Sequence, residues 1–330
     1  MKAILCKAYG PPESLVLEEV EPLKPGRGQV VIAVKACGVN FPDTLIIQGK
    51  YQFKPPLPFS PGSEVAGVVK KVGAGVEHVK VGDRVIAFTG HGGFAEEVLA
   101  EAAQLIPIPK GMDFTTASAF VLTYGTSHYA LKDRAQLKPG ETLLVLGAAG
   151  GVGLAAVEIG KVMGARVIAA ASSDEKLEVC KQHGADEVIN YTSEDLRERV
   201  KELTQGNGVD VVYDPVGGNY SEAALRGMAW GGRFLVIGFT AGEIPRIPLN
   251  LTLLKGCSIV GVFWGSFTAR DPKRNQEHLQ ELLTWFVTGK IKPLISATYP
   301  LSRAADALND MMNRKVKGKV VLLVDEGMTP

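Results

Sequence analysis

The sequence has few of the features that mark secreted, membrane-spanning or metal-binding proteins. Only 4 of its 330 residues are cysteines, and no two of them stand at C-x-x-C spacing, which argues against a disulfide framework or a zinc ribbon. No apolar run reaches the roughly 18 residues of a membrane span, and the first one is too short for a signal peptide. We therefore expect a soluble, cytoplasmic protein that is not bound to a membrane.

A strong excess of charge is also missing. The chain has 36 Lys and Arg residues against 35 Asp and Glu, for a net charge of +1. Nucleic acids and anionic membranes attract strongly basic surfaces, so neither is an expected partner. Hydrophobic residues make up 46% of the chain, enough to fill the cores of two domains. The expected partner is a small molecule.

Two patterns of secondary structure divide the chain. Up to about residue 122, short β-branched runs alternate with turns rich in glycine and proline, which predicts an irregular antiparallel β domain. From about Tyr124, apolar runs alternate with amphipathic helical stretches, which predicts a doubly wound parallel sheet. Two helices and a strand follow, in an order that does not extend this sheet. We therefore assign residues 1–123 and 265–330 to one domain and residues 124–264 to an inserted one.

The stretch "LLVLGAAGGVGLAAVEIG" joins a predicted strand to a predicted helix through a glycine-rich turn. A dinucleotide-binding turn needs small residues at its bend, beside the pyrophosphate and where the helix packs, and Ala148, Gly150 and Gly153 take these places. N–H groups at the start of the helix would face the pyrophosphate. The alternative is a tight turn without a ligand. The residues predicted to bind the dinucleotide are Gly150, Gly151, Val152 and Gly153.

The end of the next strand decides between NADPH and NADH. An acid about 20 residues beyond the glycines would bind the adenosine ribose of NAD, but Ser172 stands there in "VIAAASSDEKLE". Ser172, Ser173 and Lys176 can instead donate to a 2′-phosphate. A slip of one or two residues would make Asp174 the acid for NAD, and its other interpretation is a helix N-cap. The sequence favours NADPH.

Taken together, these features resemble the medium-chain dehydrogenase/reductase superfamily and, within it, the zinc-free NADPH:quinone oxidoreductase branch. The resemblance is carried along the chain by "ACGVNFPDTLIIQGKY", "PLPFSPGSEVAGVV", "GVEHVKVGDRV", "GGFAEEV", "LTYGTSHYALKDRAQLKPGETLLVLGAAGGVG", "GADEVINY", "VYDPVGG" and "GKVVLL". It implies a GroES-like catalytic domain formed by both chain ends, an inserted Rossmann domain, an active site in the cleft and a homodimer. It also implies that the 2′-phosphate of NADPH meets Ser172, Lys176 and Tyr191.

The positions at which alcohol dehydrogenases of this superfamily hold catalytic zinc carry other residues here. Asn40 and Thr123 stand at the two cysteine positions, and Ser63 stands at the histidine position. Amide and hydroxyl groups are poor zinc ligands beside thiolate and imidazole, so no metal is expected. Without a Lewis acid to lower the pKa of an alcohol, reduction of an electron-poor acceptor is favoured over alcohol oxidation.

Such a reduction needs an aligned acceptor and a hydrogen-bond donor to its carbonyl oxygen. Asn40 can donate to that oxygen or anchor the nicotinamide ribose; alternatively, it is a turn residue before Pro42. Tyr51 matches a tyrosine that related enoyl reductases place near the substrate, and a phenol stays protonated at neutral pH. Its alternative is an aromatic lid residue without chemistry. Asn40 and Tyr51 are the predicted catalytic residues.

The resemblance adds positions around the nicotinamide. Thr126 matches a residue that touches the ribose or carboxamide, or it caps the following helix. Lys319 matches a basic position near the cofactor, or it is an exposed lysine at a strand start. Trp264 is a wall of the acceptor pocket or packs between subunits, because "CSIVGVFWG" matches the edge strand by which relatives dimerise. The residues expected to line the nicotinamide through their backbone are Gly238, Phe239, Phe263 and Trp264.

The leading hypothesis is an NADPH-dependent, zinc-independent oxidoreductase that transfers hydride to quinones or other electron-poor conjugated carbonyls. One alternative is a 2-alkenal or 2-enoyl-thioester reductase on the same scaffold. A coenzyme A thioester would favour a basic patch, for which "ARDPKRNQ" is the candidate. A second alternative is a protein that binds NADPH with little turnover.

Overall fold

The computed structural model describes residues 1–324, which form two compact units. Unit 1 comprises residues 1–122 together with the described residues from Pro293 onward, and unit 2 comprises residues 123–292. The two ends of the chain therefore build one unit, and the second unit is inserted between them, in the order that the sequence predicts.

Unit 1 is built on a seven-stranded sheet that is antiparallel except for one pair of strands. Its strands are β3 (Gln29–Val39), β4 (Glu64–Val72), β5 (Arg84–Phe88), β6 (Glu97–Glu101), β7 (Ile106–Pro107), β14 (Ile295–Pro300) and β15 (Lys319–Leu323). Their order is β14-β15-β3-β4-β5-β7, with β6 also paired to β3, and the parallel pair is β14 with β15. A separate hairpin joins β1 (Lys2–Leu5) to β2 (Val16–Glu19).

Among its described residues, unit 1 also has three short α-helices: α1 (Phe41–Ile46), α2 (Phe114–Ala117) and α11 (Ala304–Met312). The core of the unit is aliphatic, because the β-branched residues of β3 and β4 face inward from the middle of the sheet. Examples are the fully buried Val30, Ile32 and Val65. The irregular β domain predicted from the first third of the chain is confirmed.

Unit 2 is built on a six-stranded sheet in which every pair of strands is parallel. The strands are β8 (Thr142–Leu146), β9 (Arg166–Ala171), β10 (Glu187–Asn190), β11 (Val209–Asp214), β12 (Met228–Val236) and β13 (Ser258–Gly261). Their order, β10-β9-β8-β11-β12-β13, reverses direction at β8, which is the doubly wound Rossmann arrangement. In such sheets ligands bind at the carboxyl ends of the strands beside the reversal.

The helices of unit 2 are α3 (Val121–His128), α4 (Gly151–Val162), α5 (Asp174–Gln182), α6 (Leu196–Leu203), α7 (Asn219–Arg226), α8 (Asn250–Lys255), α9 (Trp264–Arg270) and α10 (Pro272–Val287). α3 begins at the last two residues of unit 1 and continues into a π-helical turn over Tyr129–Arg134. No helix within residues 1–324 is both long and apolar enough to cross a membrane.

The domain boundary predicted at residue 265 needs a correction. Residues 265–292 belong to unit 2, and only the part of the chain after them returns to unit 1. Polar contacts join α10 to α3 and to the π-helical turn that follows it. Arg274 pairs with Asp133 at 2.8 Å, and His128 Nε2 lies 2.9 Å from Glu281 Oε2. The amphipathic pattern of α10 predicts that one face of the helix is buried, but it does not show against which of the two units that face packs.

Candidate functional site

The glycine-rich turn of unit 2 connects β8 to α4. Gly147 has φ +56°, a left-handed conformation that favours glycine, so the sharp bend falls there and not at the predicted Ala148. A Cβ on Gly153 would lie 2.3 Å from the carbonyl oxygen of Gly147. Only glycine at this position lets the first turn of α4 pack so closely on the loop, which is the packing role expected of it.

The first turn of α4 offers backbone donors at the edge of this loop. Gly150 is the N-cap and brings no side chain to the helix terminus. The first amides of an α-helix have no intrahelical acceptor, and the earliest bond here runs from Leu154 N to Gly150 O at 2.8 Å. The amides of Gly151, Val152 and Gly153 precede it. These donors, in a loop of small residues, fit the pyrophosphate of a dinucleotide.

The three residues predicted to meet a 2′-phosphate lie together at the end of β9. Lys176 Nζ donates to Ser172 Oγ at 3.2 Å, across the first turn of α5. Tyr191 N donates to the carbonyl of Ala171 at 3.2 Å, which places the residue after β10 beside the last residue of β9. The ring of Tyr191 packs on Tyr220 with centroids 4.3 Å apart. A lysine and a serine hydroxyl in contact form a suitable pair of donors for a phosphate dianion.

Asp174 is not the N-cap of α5. Ser173 is the N-cap of α5, because its hydroxyl accepts from Lys176 N, and Asp174 is the first helical residue. Asn190 Nδ2 donates to Asp174 Oδ1 at 2.8 Å. The carboxylate is therefore bound to the end of β10. The N-cap interpretation of Asp174 is wrong, and sequence reasoning did not find Asn190.

The loops after β11 and β12 carry two of the positions expected to line the nicotinamide. Gly238 N donates to the carbonyl of Asp214 at 3.3 Å, and a Cβ on Gly217 would lie 2.9 Å from the ring of Phe239. The buried carboxylate of Asp214 organises this turn, since it accepts from Val216 N at 2.8 Å and from Gly217 N at 2.9 Å. Asp214 was not singled out in the sequence, although it lies in the "VYDPVGG" motif.

The other predicted nicotinamide residues of unit 2 lie on α3 and at the start of α9. Thr126 is an interior residue of α3 and is half-buried, so it does not cap the helix that follows. Phe263 is 54% exposed, whereas Trp264 is only 4% exposed. The indole packs on Gly125 and donates from Nε1 to Asn275 Oδ1 at 3.2 Å. Trp264 therefore fills the interior of unit 2 and presents almost no surface to a partner subunit.

In unit 1, three neighbouring strands bring a polar cluster together. Asn40 follows the last residue of β3, and the two strands beside β3 begin with charged residues, Glu64 in β4 and Lys319 in β15. The register pairs Gly38 of β3 with Glu64, so both charges lie beside the end of β3. All three side chains are buried.

The Asn40 amide is held on both sides. Its Oδ1 accepts from Lys319 Nζ at 2.5 Å, and the same ammonium donates to the carbonyl of Val39 at 3.0 Å. Its Nδ2 donates to Gly38 O at 3.2 Å and to Glu64 Oε2 at 3.4 Å. Both amide hydrogens thus have acceptors within unit 1. The interpretation of Lys319 as an exposed lysine is wrong, because Lys319 is 4% exposed and its Nζ lies 3.6 Å from Glu64 Oε2.

The cluster also contains a second carboxyl group, from Asp43. Asp43 Oδ2 accepts from Asn40 N at 2.8 Å, whereas its Oδ1 has no hydrogen-bond partner among the residues that the structure describes. Burial raises the pKa of Asp43 to about 7. Burial also raises the pKa of Glu64 and lowers that of Lys319. Two buried carboxyls share one ammonium, so a proton on Asp43 leaves the cluster neutral.

We expect the stability of the protein to depend on pH through Asp43. Because the folded pKa is about 7 against a reference of 3.8, the folded chain keeps a proton that the unfolded chain has lost between these pH values. Stability then falls as pH rises, by up to about 1.4 kcal/mol per pH unit, and levels off above the folded pKa. Asp43→Asn lacks this loss, so its unfolding free energy relative to the unmodified chain should rise between pH 5 and 7. Urea denaturation at several pH values measures it; a difference independent of pH would contradict the assignment.

Tyr51 lies a few residues after α1, the helix that contains Asp43. It is half-buried and packs against the aliphatic core of unit 1. Burial, and then the charge of Asp43, raises the pKa of the Tyr51 phenol. The hydroxyl therefore stays protonated and keeps its capacity to donate a hydrogen bond.

The positions that match zinc ligands in alcohol dehydrogenases are all buried. Asn40 is engaged as described, and Ser63 Oγ has no hydrogen-bond partner within residues 1–324. Thr123 is 3% exposed. Over the described part of the chain, no three His, Cys, Asp or Glu side chains are grouped so that they could hold a metal ion.

Comparison with known proteins agrees with this architecture in both units. Residues 26–110 match the family described as "Alcohol dehydrogenase GroES-like domain", and residues 151–287 match the one described as "Zinc-binding dehydrogenase". The chain is 43% identical to a quinone oxidoreductase-like protein 2 homolog of Nematostella vectensis, over 97% of this chain and 88% of that protein. It is 38% identical to a quinone oxidoreductase of Rattus norvegicus, over 98% of both chains.

Solved structures show the same similarity in three dimensions. The Escherichia coli quinone oxidoreductase complexed with NADPH is 33% identical to this chain and superposes with a TM-score of 0.91, covering 98% of this chain and 100% of the other. The GroES-like and Rossmann architecture predicted from the sequence is thereby confirmed. The chain belongs to the quinone oxidoreductase family of the medium-chain dehydrogenase/reductase superfamily, and it is an oxidoreductase.

Proposed function

We propose that this oxidoreductase uses NADPH to reduce quinones or other electron-poor conjugated carbonyls, without a metal ion. The observation that carries the proposal is the pairing of a glycine-rich turn with the Lys176–Ser172 contact at the end of β9, where NAD enzymes place an acid. The Escherichia coli structure that this chain resembles holds NADPH, which supports the same choice.

In this proposal, unit 2 binds the cofactor, which supplies a hydride when bound. The amides of the first turn of α4 hold its pyrophosphate, and Ser172, Lys176 and Tyr191 hold its 2′-phosphate. Thr126 and the backbone of Gly238, Phe239, Phe263 and Trp264 hold its nicotinamide end. Lys319 is a further cofactor-binding residue in this proposal. These assignments follow the predicted roles.

In this proposal, residues of unit 1 donate hydrogen bonds to the carbonyl oxygen of the acceptor. Hydride addition to a conjugated carbonyl places negative charge on its oxygen, and a fixed donor stabilises that charge. The protonated Tyr51 hydroxyl is the first such donor. Asn40 is the second, through the amide hydrogen whose contact with Glu64 Oε2, at 3.4 Å, is the longer of its two.

We propose a homodimer that forms through β13. This strand is one of the two edge strands of the parallel sheet, and an unpaired edge can pair with its copy in a second chain. Large apolar side chains are exposed in the same unit, and a monomer rarely leaves so many in water. They are Trp230 (79%), Leu249 (75%), Leu253 (79%), Leu254 (66%) and Ile259 (39%). Sedimentation equilibrium gives the mass of the assembly directly.

The test of the proposed function follows oxidation of NADPH and NADH in separate assays with 1,4-benzoquinone, 9,10-phenanthrenequinone, 2-hexenal and crotonyl-CoA. Each assay is run with and without a chelator. Turnover of NADPH with a quinone that the chelator leaves unchanged is the expected result. Preference for 2-hexenal or crotonyl-CoA would replace the quinone by an activated alkene, and NADPH binding without turnover would overturn the proposal.

We expect Tyr51→Phe to lower kcat for quinone reduction by about tenfold while KM for the quinone changes little, because a donor to developing charge acts mainly in the transition state. Steady-state kinetics with NADPH in excess measure the effect. The phenyl ring keeps the packing of the tyrosine, so an unchanged kcat/KM would leave Tyr51 with a packing role only.

A further inference from the structure

We propose that Asn190 sets the preference for NADPH over NADH by hydrogen-bonding the Asp174 carboxylate, which would otherwise be free to turn toward the 2′-phosphate. The inference rests on the proposed binding of NADPH and adds a residue to it. Asn190 is a positioning residue, since it acts through Asp174 and not by touching the cofactor.

The register of the parallel sheet puts Asn190 in place. Asn190 is the last residue of β10 and pairs with Ala171, the last residue of β9. Ser172 follows Ala171 directly, and Asp174 opens α5 two residues later. An acid at the end of the second strand is the feature by which Rossmann domains accept NAD. Because Asp174 is only two residues from Ser172 in the sequence, selection of NADPH requires that its carboxylate does not act as that acid.

The contacts of Asn190 show that its side chain is fixed. Its Nδ2 donates to Asp174 Oδ1 at 2.8 Å. Its Oδ1 accepts from Thr192 N at 3.2 Å and from Thr192 Oγ1 at 2.7 Å, and these bonds determine which way the amide faces. Asn190 is only 9% exposed, so the amide has little freedom to turn. The Asp174 carboxylate is therefore hydrogen-bonded to the end of β10, while Lys176 is in contact with Ser172.

The charges explain why this arrangement matters. A 2′-phosphate is a dianion near neutral pH, and a carboxylate within a few ångströms repels it. The same carboxylate would accept a hydrogen bond from the free 2′-hydroxyl of NADH. The hydrogen bond from Asn190 thus engages a carboxylate that, if released, would weaken binding of NADPH and strengthen binding of NADH.

The experiment measures binding and does not depend on turnover. Isothermal titration calorimetry with 2′,5′-ADP and with 5′-AMP isolates the contribution of the 2′-phosphate. Asn190→Ser is the variant of choice, because serine keeps an acceptor near Thr192 but is too short to reach Asp174. We expect it to raise the Kd of 2′,5′-ADP about tenfold. The Kd of 5′-AMP should stay unchanged or fall, because 5′-AMP has the free 2′-hydroxyl to which the released carboxylate can bind.

A matched background separates this mechanism from a loss of structure. In an Asp174→Asn chain there is no carboxylate to hold, so adding Asn190→Ser should leave both dissociation constants within about twofold. Equal weakening of both nucleotides, or the same tenfold loss in the Asp174→Asn background, would overturn the inference. If the unmodified chain binds 5′-AMP as tightly as 2′,5′-ADP, the proposed NADPH preference fails and the inference fails with it.

Discussion

Lys319→Met should lower the free energy of unfolding by about 3–5 kcal/mol, the usual effect of removing one partner from a buried ion pair. Lys319 is the cation beside two carboxyl groups, Glu64 and Asp43, that are themselves 0% exposed. Methionine fills the same volume but leaves Glu64 Oε2 and Asn40 Oδ1 without their ammonium partner. Urea denaturation in neutral buffer measures the loss.

A double variant shows whether charge is the cause. Glu64→Gln in the Lys319→Met chain removes the uncompensated charge while it keeps the shape and most hydrogen bonds, so much of the lost stability should return. The two changes would then be strongly non-additive. A loss below about 1 kcal/mol for Lys319→Met would show that the pair is not a stabilising element. Weaker NADPH binding at full stability would instead place Lys319 at the cofactor.

Lys176→Ala should raise the KM for NADPH about 10- to 100-fold and change the KM for NADH less than about threefold. The charge-assisted hydrogen bond of a lysine to phosphate contributes about 1.5–3 kcal/mol to binding, which corresponds to that range. NADH has no 2′-phosphate, so its binding does not depend on this bond. Lys176 is only half-buried and contacts Ser172 at 3.2 Å, so its removal should leave the fold intact.

The control for this experiment lies on the same helix. Lys181 is in the last turn of α5 and faces Glu178 at 3.9 Å, away from the first turn. Lys181→Ala should therefore leave both KM values unchanged. Equal effects of Lys176→Ala on NADPH and NADH would contradict the assignment of the cofactor.

Local patterns in the sequence predict much of the fold. The parallel sheet follows from apolar runs that alternate with helices, and the irregular β domain follows from short strands between turns. The glycine-rich turn was also located, although its bend falls at Gly147 and not at Ala148. These features depend on neighbouring residues, which is why a single sequence reveals them. The assignment of 265–292 failed because α10 could cover either core.

The candidate site depends on contacts between distant residues, and sequence alone predicts these poorly. One of the two interpretations of Lys319, an exposed lysine at a strand start, is wrong because its three partners lie in another part of the chain. Glu64 begins a β-branched run, and a charged residue in such a run is a weak sign of burial. No pattern in the sequence pointed to a role for Asn190, because that role depends on the register of β10 with β9. The roles of Asn40 and Tyr51 stay predictions.

The insertion of unit 2 into unit 1 also has a consequence for synthesis on the ribosome. Strand β15 lies between β14 and β3, so the sheet of unit 1 cannot be completed until β15 has left the exit tunnel. Unit 2 is continuous and can fold earlier. β6 pairs with the first part of β3, and β15 pairs with its last residues, Ala36–Val39. At about 5–20 residues per second, the nascent chain carries this unpaired end of β3, and two carboxyls without their lysine, for on the order of 10 s or more. Until β15 arrives, this unpaired strand end can pair with other chains.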